Sequence, residues 1–243
     1  MNRCSRCSGR RKGSTLGVVT KDRPGGLPDK RRAIISGALT LFARDGYTRA
    51  SLDAIAAEAS VSNRTIYNHF SDKTDLFQAV IQESTQRVAD TMADLIDRHL
   101  GKIVDLESDL ADLGVAFVSL LTSDLAPHFA LVRQINAETE HIPPAALKLW
   151  QDTGPGRVKR HLAGRLREIA DRGQLAIDDP ARAAGHLMLL VSAENLSDRA
   201  ALHNDAEVTA MVAAGVHAFL SGYQPRDRHD LQTPAGHAKK TTH

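Results

Sequence analysis

An all-α fold is predicted for the 243-residue chain by three features of its sequence. Apolar residues recur at helical spacing almost throughout, and no segment sustains the two-residue alternation of a strand bounded by turn chemistry. The breaks fall where Pro, Gly and Asp cluster, as at His141-Ile142-Pro143-Pro144, Thr153-Gly154-Pro155-Gly156 and Asp178-Asp179-Pro180. A composition of 42% hydrophobic and 25% charged residues suits a chain that buries a core.

Taken in order, residues 1–28 hold Gly, Ser, Arg and Pro with almost no apolar pattern, so they are expected to be a disordered basic arm. A first helix is predicted over residues 30–45, with Ile34, Ala38, Leu41 and Phe42 on one face and Gly46 following as a residue able to take positive φ. Two short helices follow, over about 51–59 and 62–70. A long fourth, over 73–100, starts at Asp72 as N-cap, carries Leu76, Phe77, Val80, Ile81, Val88 and Leu95, and closes at Gly101. The fifth, over 106–122, sets Leu110, Leu113, Phe117, Val118 and Leu121 on one stripe. Further helices are expected at about 125–138, 144–152, 156–172, 180–196 and 206–222, and residues 224–243 as a disordered tail. There is no internal repeat. The division this suggests is a helical head over 29–76 and a helical body over 77–223.

No apolar run approaches the roughly 18 residues that span a bilayer, and the first residues lack the apolar stretch of a secretory signal. A cytoplasmic protein with no membrane partner is expected. The two cysteines, Cys4 and Cys7, exclude a disulfide framework. Their CxxC spacing has no second pair and no strand beside it, which argues against a zinc or redox role, and no metal or cofactor is expected. Nor is an enzyme, because the eleven histidines are scattered and HExxH, GxSxG and a phosphate-binding glycine loop are all missing.

The net charge of +2 is uneven. Residues 1–32 carry ten basic and two acidic side chains, a balance of +8, while the remainder carries twenty-one against twenty-seven, or −6. A basic arm before an acidic body favours a polyanionic partner, nucleic acid before membrane, since no amphipathic stretch accompanies the charge.

The informative window is residues 51–73, SLDAIAAEASVSNRTIYNHFSDK. A short helix built on Leu52, Ile55 and Ala56, a turn through Ala59, Ser60 and Val61, and a second helix capped by Ser62 have helix-turn-helix spacing. On the second helix Val61, Ile66 and Phe70 lie toward the apolar side, whereas Asn63, Arg64, Tyr67 and Asn68 share another face. Arg pairs with guanine O6 and N7, and Asn with adenine N6 and N7, so this face suits a major groove. Thr65, Tyr67, His69 and Lys73 supply hydroxyl, imidazole and ammonium donors of the kind that position phosphates. A solvated face in a helical bundle is the competing reading. Against it, five of the ten aromatics (Phe42, Tyr47, Tyr67, Phe70 and Phe77) fall between residues 30 and 77, which would give a three-helix unit its own small core.

From Arg32 to Leu76 the chain resembles the DNA-binding domain of the TetR/AcrR family of bacterial transcriptional regulators. The resemblance rests on Ala38-Leu39-Thr40-Leu41-Phe42 before Asp45-Gly46-Tyr47, on Ser51-Leu52-Asp53-Ala54-Ile55-Ala56, and on Val61-Ser62 with Thr65-Ile66-Tyr67-Asn68-His69-Phe70, Lys73 and Leu76. It implies phosphate contacts from Thr65, Tyr67, His69 and Lys73, base contacts from Asn63, Arg64 and Asn68, and weaker candidates in Arg49 and Ser51. His69 as a ring covering the helix edge, and Tyr67 as half-buried packing, stay open beside these roles. Ser60 stands where the family usually has glycine, so a positive φ there would carry a strain of roughly 1 kcal/mol. Arg64 stands where a small residue is frequent, which makes it the leading candidate for sequence specificity.

More loosely, Phe129 to Glu138, Trp150-Gln151-Asp152, Arg172-Gly173-Gln174-Leu175 and Asp179-Pro180 with Ala183-Ala184 are similar to AefR-like C-terminal domains. The resemblance implies a ligand-binding and dimerisation domain, and with it a repressor that binds an operator in double-stranded DNA as a homodimer and responds to a small-molecule effector. Phe117, Leu121, Phe129, Leu131 and Trp150 are the expected pocket wall, between the fourth helix and the fifth to seventh. The twofold contact is expected to use Ala183, Ala184, Leu187, Met188 and Val191 with Val208, Met211, Val212, Gly215, Val216 and Phe219, the alternative being that both helices are core of one chain. A second function class, nonspecific or architectural DNA binding through the basic arm, would show itself as salt-dependent affinity without a preferred site.

Overall fold

A computed structural model describes residues 26–192 and 204–225. The expected arm up to residue 25, with Cys4 and Cys7, and the tail beyond 225 lie outside the described residues. Among the described residues there are ten α-helices and no strand: α1 (Leu27–Arg49), α2 (Leu52–Glu58), α3 (Asn63–Tyr67), α4 (Lys73–Leu100), α5 (Leu106–Ser119), α6 (Ala126–Ala137), α7 (Pro144–Thr153), α8 (Pro155–Asp171), α9 (Pro180–Ser192) and α10 (Asp205–Tyr223). Short 3-10 turns, Leu120–Thr122 and Thr139–His141, follow α5 and α6. No single helix among the described residues is long and apolar enough to cross a membrane.

The helix boundaries follow local chemistry. Leu27 and Pro28, expected in the arm, are helical; Pro28 sits in the first turn of α1, where its fixed φ fits and its missing N–H costs nothing. Helical geometry in α1 breaks at Gly46, with φ of +83°, which redirects the chain into its last turn. Side chains cap the next helices: Ser51 accepts from the Ala54 amide, Ser62 from Thr65, Asp72 from Asp75 and Asp105 from Ser108. Ser60 takes the positive φ its position implies, +54°. α3 ends at Tyr67 rather than reaching Phe70, because the amides of His69 and Phe70 both turn back onto the Ile66 carbonyl. That turn folds Phe70 into the core.

Two hydrophobic clusters organise the chain. The first joins Phe42, Ile55, Ile66, Phe70 and Phe77 to Leu131, Ile135, Ala146 and Trp150 of α6 and α7. Phe42 and Phe77 are fully buried and meet edge to face at 4.9 Å, and burying each ring contributes about 1.5–3 kcal/mol. The head therefore does not have a small core of its own. α1 packs against α6 as well as α2 and α4, so the same apolar mass ties the head to the body. The second cluster fills the space among the later part of α4 and helices α5, α8, α9 and α10.

This second cluster corrects the residue assignment of the twofold contact. Ala183, Ala184, Leu187 and Val191 are buried against Val208, Val212, Val216 and Phe219 inside one chain. α9 and α10 approach so closely that a Cβ on Gly215 would lie 2.4 Å from the Leu190 carbonyl oxygen. What these helices leave open is a different face, with Leu189 64% and Leu190 37% exposed and Ala213, Ala214 and Ala218 exposed on α10.

Candidate functional site

The polar end of the molecule is built on α3. Ile66 points inward and is 1% exposed, anchoring the helix on Phe42 and Ile55. On the opposite side Arg64, Tyr67 and Asn68 are exposed, Tyr67 at 58%. Arg64 forms no ion pair among the described residues, which leaves its five donors available.

The other residues of the expected interface are placed differently. Asn63 is half-buried and its amide donates to the Asp53 carboxylate on α2, while its Oδ1 is buried with no partner. Thr65 shares a 2.9 Å hydrogen bond with the capping hydroxyl of Ser62. His69 is half-buried against Phe70, with Nε2 enclosed and unpartnered. Lys73, at the first position of α4, donates to the Thr48 carbonyl at 3.1 Å and lies 4.8 Å from the centre of the Tyr47 ring. Burial lowers its pKa from the ordinary value, an effect Glu138 partly offsets. Arg49 is exposed at the end of α1, and Ser51 spends its hydroxyl oxygen capping α2.

A junction between head and body was not legible in the sequence. Glu138, just after α6, accepts from the Thr48 amide at 2.9 Å and from its hydroxyl at 3.1 Å, across ninety positions of chain. Gly46 lies against the same carboxylate, where an added Cβ would stand 2.2 Å from Oε1.

A cavity of about 290 Å³ opens between the two clusters. Thr85, Val88, Ala89 and Met92 of α4 form one wall; His128, Phe129 and Val132 of α6, Trp150 of α7 and Val158 of α8 form the others. Phe129 and Trp150 both line this cavity. Phe117 and Leu121 do not; they pack into the second cluster, and Phe117 borders only a gap of about 10 Å³. Leu131 is core, 1% exposed. The polar residues on the wall were missed. Thr85 and His128 are 1% and 7% exposed, and burial pulls the His128 pKa down to about 4, so the ring is neutral at pH 7. Its Nδ1 pairs with Ser84 Oγ at 3.2 Å, whereas Thr85 Oγ1 and Trp150 Nε1 are buried without partners. The available signal was positional: Thr85 interrupts the apolar stripe of Ile81, Val88 and Ala89 at helical spacing.

Comparison with known proteins gives this arrangement its context. Residues 34–80 match the family model described as bacterial regulatory proteins, tetR family, and residues 108–225 match that of the AefR-like transcriptional repressor C-terminal domain. The chain is 26% identical over 192 residues to the HTH-type transcriptional regulator UidR of Escherichia coli K12, covering 79% of this chain and 91% of the relative. It is 32% identical over 94 residues to the HTH-type transcriptional repressor AcnR of Corynebacterium efficiens, 38% of this chain and 48% of that protein. Among solved structures it resembles a TetR-family regulator of Mesorhizobium loti, with a TM-score of 0.70, 27% identity and coverage of 82% and 98% of the two chains. It also resembles the flavonoid-responsive regulator FrrA, with a TM-score of 0.57, 27% identity and coverage of 82% and 100%. With a matching head, a matching body and regulators as its relatives, the chain belongs to the TetR family and is a DNA-binding transcriptional regulator.

Proposed function

We propose that this chain is a ligand-responsive repressor that binds a palindromic operator as a homodimer, with Arg64 and Asn68 reading base edges. The observation that carries this reading is the division of α3, with Ile66 anchored in the core and an unpaired Arg64 beside Asn68 and Tyr67 on the open side. Arg64 is the specificity determinant because a guanidinium matches guanine bidentately. Asn63 contributes once its amide is released from Asp53 or reads through a bridging water. Thr65, Tyr67, His69 and Lys73, with Arg49 and Ser51 at the neighbouring helix ends, position the backbone of the duplex. The exposed Leu189 and Leu190 with the alanines of α10 form the twofold contact, which sets two copies of α3 into successive major grooves. Repression is favoured by relatives that are named repressors.

Ligand response is supported by the cavity and by its two mechanical connections to the head. α4 runs unbroken from Lys73 past Thr85 and Met92. α6 lines the cavity with His128 and Phe129, and the chain just beyond it holds Thr48 through Glu138. An effector that fits one placement of these helices better than another shifts the head's population. A coupling of roughly 1–3 kcal/mol changes operator affinity about 5- to 150-fold.

The test is Arg64→Ala in operator binding. A loss of about 1–3 kcal/mol at the preferred site, with relaxed choice at one base position, is expected. Equal losses on random DNA would remove Arg64 from base reading.

A further inference from the structure

The wall of the cavity is specific about the chemistry it can hold. None of its thirteen lining residues carries a formal charge, since the one titratable side chain, His128, is kept neutral by burial. An ionised ligand there would lose its hydration without meeting a counter-charge. The wall is not inert, however. Thr85 Oγ1 and Trp150 Nε1 are both enclosed with no hydrogen-bond partner, and native structures rarely leave such groups unmatched. The methyl of Thr85 is held against Gly154, where a Cβ would lie 2.4 Å from Cγ2, so the hydroxyl is turned elsewhere. An indole N–H only donates, and a hydroxyl can donate, so what both atoms have in common is the ability to serve an acceptor.

We propose that the effector is an uncharged, largely apolar molecule of about ten to twelve heavy atoms, bearing an oxygen that accepts hydrogen bonds from the Thr85 hydroxyl and the Trp150 indole N–H once small rotations of these enclosed side chains open them to the cavity. This rests on the ligand-responsive reading and goes beyond it by naming the chemical class. The size follows from the volume: about 290 Å³ is equivalent to about ten waters of the liquid. Val88, Met92, Phe129, Val132 and Val158 supply the apolar contact.

Trp150 is the sole tryptophan of the chain, so its fluorescence reports occupancy directly. The probes are three matched compounds on one saturated bicyclic skeleton: 2-decalone, decahydro-2-naphthoate and decahydro-2-naphthylammonium. Each is titrated into the full-length protein and into Thr85→Val, with operator affinity measured in parallel and the thermal midpoint of each protein as a control. The expected result is that 2-decalone binds at least tenfold more tightly than either ion. Thr85→Val is expected to weaken it about 3- to 10-fold with the midpoint held, the effect of losing one hydrogen bond. Tighter binding by the carboxylate or the ammonium overturns the proposal, even where that ion alters operator affinity and ligand response itself survives. Equal ketone affinity in both proteins overturns it, as does the failure of 2-decalone to bind. Selective ketone binding that leaves operator affinity unchanged supports the chemistry and removes the ligand-responsive reading.

Discussion

Replacing Gly46 by Ala should be among the more damaging single-methyl additions to the head, and the structure indicates why. The residue has φ of +83° and ψ of 173°, a region essentially reserved for glycine, where an L side chain costs about 1–3 kcal/mol. Its new Cβ would stand 2.2 Å from Oε1 and 2.7 Å from Cδ of Glu138. The carboxylate is the far end of a flexible side chain, so it can retreat, but only by giving up the two hydrogen bonds it accepts from Thr48. For a half-buried acceptor those bonds contribute about 1–2 kcal/mol together. Gly46→Ala should therefore cost about 2–5 kcal/mol, and Glu138→Ala alone about 1–2. In the Glu138→Ala background only the milder 3.1 Å approach to the Gln134 amide oxygen remains, so Gly46→Ala should then cost little more than the conformational strain, about 1–3 kcal/mol. Urea unfolding of the four proteins measures this coupling. An equal cost for Gly46→Ala with and without the carboxylate would show that Glu138 does not constrain the turn, and the argument for this junction between head and body would fail.

Ser60→Gly should stabilise the protein by about 0.5 kcal/mol, because relief of the φ of +54° outweighs the extra freedom of glycine in the unfolded chain; a destabilised variant in urea would contradict it. His128 should make the protein acid-sensitive. Its pKa is 6.5 in the free side chain and about 4 in the fold, so between those values the unfolded chain holds a proton that the folded chain refuses. Stability is complete above about pH 6.5 and falls by about 1.4 kcal/mol per unit down to about pH 4. His128→Gln should lack this component; identical losses in both proteins between pH 7 and 5 would assign the acid sensitivity elsewhere.

Features decided by a few adjacent residues were legible from sequence. Gly46 at a helix break, Ser62 and Asp72 as caps and Ser60 at positive φ each follow from the φ preference or hydrogen-bonding reach of one side chain. The outward face of α3 was legible for the same reason, since Ile66 fixes which way the helix turns. Features decided by partners distant in the chain were not. Asn63 and Asp53 are ten positions apart, on different helices, and Thr48 and Glu138 ninety apart; helical periodicity carries no information on either pair. The apolar faces of α9 and α10 misled because burial within one chain and burial between two copies leave the same pattern. Val212 and Val216 turned inward, and the small exposed alanines beside Leu189 and Leu190 gave no strong signal. Thr85 was passed over because a lone polar residue in a long helix resembles a solvated position until a second helix closes over it.

The most direct measurement of whether α3 reads DNA in duplicate is selection of bound fragments from random duplexes by the full-length protein. The enriched sequences should form an inverted repeat whose halves are centred about 10 base pairs, or 34–36 Å, apart or a multiple of it, with Arg64→Ala degrading one position in each half. Recovery of unrelated sequences, held with an affinity that depends on salt alone, would contradict the account.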